Sequence, residues 1–273
     1  PPGESEIMGL ECAGEIVDAG DTNRQVGEKV ACLLAGGGYA EYVAVPAGQL
    51  LPIPEGYSYE QAAAVVEVAA TVWSNLGMLT GLAAGQTVLI HGGAGGIGTF
   101  AIQLAKHLGA QVAVTAGSVE KLEACRRLGA DILINYREEN FADVLKNRCD
   151  RILDIIGAKY LDQNVTALAP DGHMVIIGMQ GGVKGELNIG KLLAKRGTIS
   201  ATALRSRSHD DKARIVADTI KHVWPLLADG TITHQLHATL PLADAAHAHE
   251  LLRSGAVTGT LVLNVCSNEA SKG

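Results

Sequence analysis

The chain is expected to be an α/β protein built on a doubly wound parallel sheet, with a β-rich piece before it and a mixed return segment after it. Three observations predict this. Short β-branched runs alternate with amphipathic stretches from Thr87 to about Ala203. A glycine-rich turn follows the first of those runs, in VLIHGGAGGIG. The segments ahead of it are short apolar runs bounded by Gly or Pro.

Taken in order, LECAGEIVDAG, GEKVACLL and GGGYAEYVAVP read as strands, and Pro52 and Pro54 end that region. Ser58 with Gln61 has the spacing of a capping box that opens a helix through the alanine-rich stretch. Thr87 to His91 is a buried strand, and Phe100, Ile102, Leu104, Ala105 and Leu108 recur at helical spacing until Gly109. Further strands are expected near Val112–Thr115, Ile132–Ile134, Ile152–Ile155, Met174–Ile177 and Ile199–Ala203. Helices fall between them, near Val119–Leu128, Phe141–Asn147, Tyr160–Leu168 and Ile189–Lys195. The last stretch reads as a helix from Asp211 to Leu227, a short strand around Leu236, a helix Ala243–Arg253 and a strand Leu261–Val265, then a frayed polar tail. The expected domains are residues 1–67, 68–214 and 215–273, the last returning to the first.

With 273 residues the chain has room for about two domains. A formal charge of −7 and no Lys/Arg cluster speak against a nucleic-acid partner. No run reaches the ~18 uninterrupted apolar residues of a membrane span, since Glu67 breaks AAAVVEVAATVW, so no membrane partner is expected. Cys12, Cys32, Cys125, Cys149 and Cys266 are scattered and never spaced as CxxC, which reads as reduced thiols and a cytoplasmic location.

Gly93, Gly95 and Gly98, with Gly96 and Ile97 between them, form GxGxxG between a strand and a helix. In such a turn the first glycine permits the bend, the second admits a pyrophosphate to the backbone amides, and the third lets helix and strand pack closely. The helix N-terminus adds partial positive charge, so a dinucleotide is the expected ligand. An NAD-specific site would carry Asp or Glu at the end of the next strand, where this chain reads Thr115-Ala116-Gly117-Ser118. Ser118, Lys121 one turn on, and Tyr136 in INYREEN are three donors for a 2′-phosphate, which makes NADPH the expected cofactor. The bland alternative is that Ser118 only caps a helix and Lys121 is a solvated cation.

The segments PPGESEIMGLECAGEIVDAG, GGGYAEYVAVPAGQLLPIPEGYSYEQAAAV, HGGAGGIGTFAIQLAK, VTAGSVEKLEACRRLGAD, INY and LLAKRGTISATALRSR cover nearly the whole chain. Through them, Pro1 to about Val265 resembles a quinone oxidoreductase of the medium-chain dehydrogenase/reductase superfamily, closest to the p53-inducible quinone oxidoreductase group. The resemblance implies a Rossmann domain with a partial GroES-like substrate domain, NADPH in the cleft between them, and a homodimer formed along strand Ile199–Ala203. It matches Ser118, Lys121 and Tyr136 to the family's 2′-phosphate clamp and Thr71 to a threonine near the nicotinamide ribose. A buried helix threonine bonded to its own backbone is the equal alternative for Thr71. Family members begin with a further segment of the substrate domain, so this chain is expected to lack it, with doubtful activity and exposed strand edges. Thr260 stands where many relatives carry Lys.

No metal is expected. Zinc-dependent cousins carry Gly-His-Glu where this chain has Gly9-Leu10-Glu11, and no four-cysteine lobe follows Cys32. His247 and His249 lie roughly 200° apart on a helix, and His234 and His237 on opposite faces of a strand. Without a Lewis acid the acceptor should be a conjugated carbonyl, so the expected activity is NADPH-dependent quinone reduction. An enone or alkenal reductase, and a non-catalytic NADPH-binding protein, are the alternatives. Gly178 and Met179 follow a strand at the carboxyl end of the sheet and are expected to touch the cofactor. Tyr39, Tyr42 and Thr71 are the catalytic candidates, although packing or surface groups are the commoner meaning of tyrosines at alternate strand positions. Arg205 and Arg207 are candidates to steer phosphates or members of an exposed charge run.

Overall fold

A computed structural model describes residues 3–265, so Cys266 and the expected polar tail lie outside the described residues. Among the described residues the strands are β1 (Glu11–Glu15), β2 (Lys29–Leu33), β3 (Leu50–Pro52), β4 (Thr87–His91), β5 (Gln111–Ala116), β6 (Ile132–Asn135), β7 (Cys149–Asp154), β8 (Leu168–Ile176), β9 (Thr198–Ala201), β10 (Leu236–Pro241) and β11 (Thr260–Asn264). They fall into two compact units, one of residues 1–71 with 204–273, the other of residues 72–203.

The second unit holds one six-stranded sheet in the order β6-β5-β4-β7-β8-β9, with every neighbouring pair parallel. Parallel neighbours need crossover connections, and helices Gly96–His107, Val119–Arg127 and Leu161–Ala167 supply them. Strand order runs outward in one direction from β4 and in the other from β7, so a crevice opens beyond their carboxyl ends. The expected Rossmann sheet is therefore present. Its interior strands are apolar because both faces are covered: Val88, Leu89, Ile90, Val112, Ala113, Val114, Ile152 and Leu153 are fully buried. One face packs Leu89, Ala113, Ile134, Ile152 and Met174 against Phe141, Leu145 and Ala167.

The first unit contains the antiparallel sheet β1-β2-β3 and the parallel pair β10-β11. Ser58 caps helix Tyr59–Ala63 with both capping-box bonds formed. Helix His209–His222 lies against the turn Ala47–Gln49, where the Ala213 Cβ sits 2.7 Å from the position of a Cβ on Gly48. Trp224 Nε1 donates to the Pro52 carbonyl at 2.8 Å.

Four expectations need correction. The expected strand in GGGYAEYVAVP is not a strand: Gly37, Gly38 and Tyr39 donate to the carbonyls of Ile7, Gly9 and Met8, and beyond them no strand among the described residues pairs with it. The helix expected from Asp211 to Leu227 is two, His209–His222 and Trp224–Ala228, because Pro225 lacks an N–H to continue the first. The unit boundaries fall at 71/72 and 203/204 rather than 67/68 and 214/215, since the segment after Ala203 joins the first unit, where Arg205 Nε donates to the Ala35 carbonyl at 2.8 Å. The helical run Tyr59–Leu79 is, by length and composition, apolar enough to cross a membrane despite Glu67, and 67% of its window is buried inside the protein, the condition of a core helix.

Candidate functional site: a dinucleotide crevice

The loop after β4 makes its turn at Gly92, whose φ of +69° lies in the left-handed region. The sequence expectation assigned that bend to Gly93. Gly93 serves packing instead: a Cβ there would stand 2.9 Å from Val114 Cβ and 3.0 Å from Cys125 Sγ. Gly95 is extended, at φ −79° and ψ 175°, and caps helix Gly96–His107 without a side chain. A Cβ on Gly95 would meet only the Gly92 carbonyl at 3.5 Å, so this face of the loop is open. On Gly98 a Cβ would meet Gly92 O at 2.4 Å and Gly93 Cα at 2.6 Å, which is why helix and loop approach so closely only with glycine there. The first helical bond runs from Thr99 N to Gly95 O at 2.9 Å, leaving the amides of Gly96, Ile97 and Gly98 pointing out of the helix start. A bare cradle of amides at a positive helix end fits a pyrophosphate.

Beneath this loop runs a buried polar chain that the sequence reading missed. Asn164 Nδ2 donates to Asp154 Oδ2 at 3.2 Å, so its carbonyl Oδ1 faces His91 Nε2 at 2.8 Å. His91 therefore carries its proton on Nε2, and Nδ1 accepts from the Thr115 hydroxyl at 3.0 Å. Thr115 Oγ1 in turn accepts from Gly92 N at 3.4 Å. Asp154, wholly buried, accepts from Ile156 N at 2.7 Å and Gly157 N at 3.2 Å. Burial pushes its carboxyl above the usual range, and those two amides pull it back. The chain ties the loop after β4 to the loop after β7. A carboxylate ending the apolar run RILDIIG, and a histidine ending VLIH, are the signals that could have found it.

Burial holds the His91 imidazole at a pKa of about 4, well below its usual 6.5. The unfolded chain therefore takes up a proton between these values that the native state refuses, so stability falls as pH drops through that window. The pH-dependent part amounts to about 3 kcal/mol. His91→Gln cannot titrate, so the stability advantage of the wild type over this variant, measured by chemical denaturation, should shrink by that amount between pH 7 and pH 4. A constant difference would contradict the assignment.

Ser118 and Tyr136 follow the carboxyl ends of β5 and β6. Tyr136 N donates to Ala116 O at 3.2 Å, and a Cβ on Gly117 would stand 2.5 Å from Tyr136 Oη and 3.4 Å from Arg137 Nε. Ser118 is the N-cap of helix Val119–Arg127, its Oγ accepting from Lys121 N at 3.4 Å while its hydroxyl bonds the Glu120 carboxylate and helps hold that carboxyl below its usual range. Ser118 thus caps the helix, next in sequence to Gly117, which packs on Tyr136. Lys121 follows one turn later on the same helix. Arg137 is a cation at this corner that the sequence reading did not name.

Beyond β8, Gly178 is pressed on the loop after β7, where a Cβ would lie 2.7 Å from Ile155 O, and Met179 is 64% exposed beside it. Gln180 N and Gly181 N donate to the carbonyls of Ile155 and Ile156 at 3.2 and 2.7 Å, so the two loops are zipped together.

The remaining candidates stand in the first unit. Thr71 is buried, and its hydroxyl donates to Glu67 Oε1 at 2.6 Å rather than only to its own backbone. Glu67 N donates to Glu11 Oε2 at 2.7 Å. Burial and the neighbouring Glu67 push the Glu11 carboxyl up to about 8, and burial raises Glu67 also. Tyr39 Oη lies 3.2 Å from His249 Nε2, while Tyr42 is 74% exposed. Both tyrosines line a groove of about 1690 Å³. Of the two arginines, Arg205 donates to Ala35 O and Arg207 is paired with Asp211. His247 and His249 do share helix Ala245–Ser254, and among the described residues no group of three or more His, Cys, Asp or Glu stands together as a metal site.

Residues 96–221 match the family described as zinc-binding dehydrogenase, and residues 1–55 match the alcohol dehydrogenase GroES-like domain. A quinone oxidoreductase of Pseudomonas aeruginosa is 33% identical over 270 residues, spanning 96% of this chain and 83% of that protein. A highly reducing polyketide synthase of Emericella nidulans is also 33% identical over 97% of this chain, which spans only 11% of the synthase. Among solved structures, Escherichia coli quinone oxidoreductase complexed with NADPH superposes with a TM-score of 0.84 at 29% identity, over 96% of this chain and 84% of that one. The chain belongs to the medium-chain dehydrogenase/reductase superfamily, among the relatives of its quinone oxidoreductases.

Proposed function

We propose that the chain binds NADPH in the crevice of its parallel sheet and reduces quinones without a metal. The observation that carries this reading is the set of first-turn amides of Gly96, Ile97 and Gly98 at a glycine-lined helix start, with Ser118 rather than a carboxylate following the end of the neighbouring strand β5. The NADPH held by the similar Escherichia coli quinone oxidoreductase supports it. Bound NADPH would supply the hydride. Gly96, Ile97 and Gly98 would bind the diphosphate, and Lys121 with the hydroxyls of Ser118 and Tyr136 the 2′-phosphate. The zipped loops bearing Gly178 and Met179 would floor the nicotinamide end. Tyr39 and Tyr42 are assigned to the acceptor pocket, with Tyr39 Oη, backed by His249 Nε2, as the proton donor to the reduced quinone. Thr71 is assigned to the nicotinamide ribose.

Metal independence rests on donor chemistry: Leu10 has no lone pair to offer where zinc-dependent cousins place histidine. A quinone spreads incoming negative charge over its conjugated system and needs no Lewis acid. A second reading, reduction of an activated alkene, draws support from the match to a highly reducing polyketide synthase along 97% of this chain. Oxidation of NADPH with an ortho-quinone, compared with an alkenal, tests the two. Faster turnover of the quinone is expected; strong preference for the alkenal moves the assignment to the second reading, and no oxidation with either removes both.

Lys121→Ala should weaken NADPH roughly tenfold, the worth of one charge-assisted contact, and leave NADH nearly unchanged. Unaltered selectivity between the two nucleotides in the variant would remove Lys121 from the clamp.

A further inference from the structure

Cys12 and Cys32 face each other directly across the β1-β2 ladder, an arrangement neither the family resemblance nor the dinucleotide crevice explains. The ladder alternates so that Leu34 N bonds to Leu10 O at 2.7 Å and Ile16 N to Glu28 O at 3.0 Å, which makes Cys12 and Cys32 a hydrogen-bonded pair. Such a pair holds its Cα atoms about 5.5 Å apart, inside the range a disulfide spans. Directly opposed residues project to the same face of the sheet. Both belong to one apolar cluster with Val30, Leu34 and Leu50, and both line the groove of the first unit. Cys12 is the more accessible; Cys32 is 5% exposed.

We propose that Cys12 and Cys32 form a reversible dithiol–disulfide couple whose oxidant is a low-molecular-weight disulfide. The order of events follows from their surroundings. Cys12 is the more exposed of the two, and their proximity lowers the Cys12 thiol while it and burial raise that of Cys32, so Cys12 is the group that attacks first. Cys12 Sγ attacks one sulfur of the small disulfide, forming a mixed disulfide and releasing the first small thiolate. Cys32, giving up its proton, then attacks Cys12 Sγ and releases the second. One protein disulfide forms as one small disulfide breaks; the two cysteine protons end on the two released thiols, and the protein is oxidised by two electrons. Hydrogen-bonded strand pairs hold their Cβ atoms farther apart than a relaxed bridge prefers, so the link is readily reduced again.

The other described cysteines lack this setting. Cys125 and Cys149 are fully buried, and burial pushes their thiols up to about 11 and about 12, so they serve as internal controls.

The test treats the full chain, in a Cys266→Ser background, with oxidised glutathione, blocks remaining thiols with N-ethylmaleimide, and maps the digested peptides by mass spectrometry. The expected result is a Cys12–Cys32 linked peptide that dithiothreitol removes, with Cys125 and Cys149 staying unmodified by glutathione. Cys32→Ser should accumulate glutathione on Cys12, whereas Cys12→Ser should modify Cys32 at least tenfold more slowly. Full alkylation of both cysteines in the treated wild type overturns the proposal regardless of how either variant folds. Preferential glutathione capture by Cys32 overturns the assigned order.

Discussion

Gly98→Ala should abolish dinucleotide binding and destabilise the parallel-sheet unit together. The added Cβ would meet backbone atoms at 2.4 and 2.6 Å, the Gly92 carbonyl and Gly93 Cα, and backbone cannot swing aside as a side chain can. Overpacking of this kind costs about 3 kcal/mol. The displaced helix start would also carry the amides of Gly96 and Ile97 out of register, so NADPH affinity should fall at least a hundredfold. Gly95→Ala separates the two effects. Its Cβ makes only an ordinary 3.5 Å contact with Gly92 O, and its φ of −79° suits any residue, so stability should change by less than about 0.5 kcal/mol. The methyl group would nevertheless project from the open face of the loop, and affinity should drop. Thermal denaturation paired with NADPH titration checks both variants; a Gly95→Ala protein that binds normally would mean the phosphates lie elsewhere.

Asp154→Ala should be the costliest polar substitution in the same unit. The carboxylate accepts from Ile156 N, Gly157 N and Asn164 Nδ2, and all three donors would be left without it. A buried donor without a partner costs about 1–3 kcal/mol, so the total loss should be about 4 kcal/mol. Asp154→Asn keeps one acceptor oxygen for Ile156 N and should cost about half as much. The effect should reach ligand binding too, since Ile155 and Ile156 carry the carbonyls that hold Gln180 and Gly181, next to Gly178 and Met179. Urea denaturation gives the stability and a titration gives the affinity; a stable Asp154→Ala protein would contradict the role given to the chain of Thr115, His91, Asn164 and Asp154.

Local chemistry was legible where residues act on near neighbours. Strand Thr87–His91 has the bounds its β-branched run predicts, and Ser58 and Gln61 make both bonds of the box their spacing announces. The six-stranded parallel sheet follows from alternation alone, because repeated strand–helix units have few ways to bury both faces. What escaped depends on contacts distant in sequence. GGGYAEYVAVP alternates like a strand, yet pairing needs a neighbour that no pattern supplies. Gly92 and Gly93 are indistinguishable as letters, and only the packing of Val114 and Cys125 on Gly93 shows which one turns and which one yields space. His91, Asn164 and Asp154 come from three elements, β4, helix Leu161–Ala167 and β7, and converge only when the sheet closes. The corner of Gly117, Ser118 and Tyr136 was partly readable, because β5 and β6 end one after the other; Arg137 beside it was not.

Isothermal titration of the purified chain with NADPH and, separately, NADH tests the central claim most directly. The account predicts one saturable site that prefers NADPH by at least tenfold. Failure of either nucleotide to bind, or equal affinity for both, would contradict it.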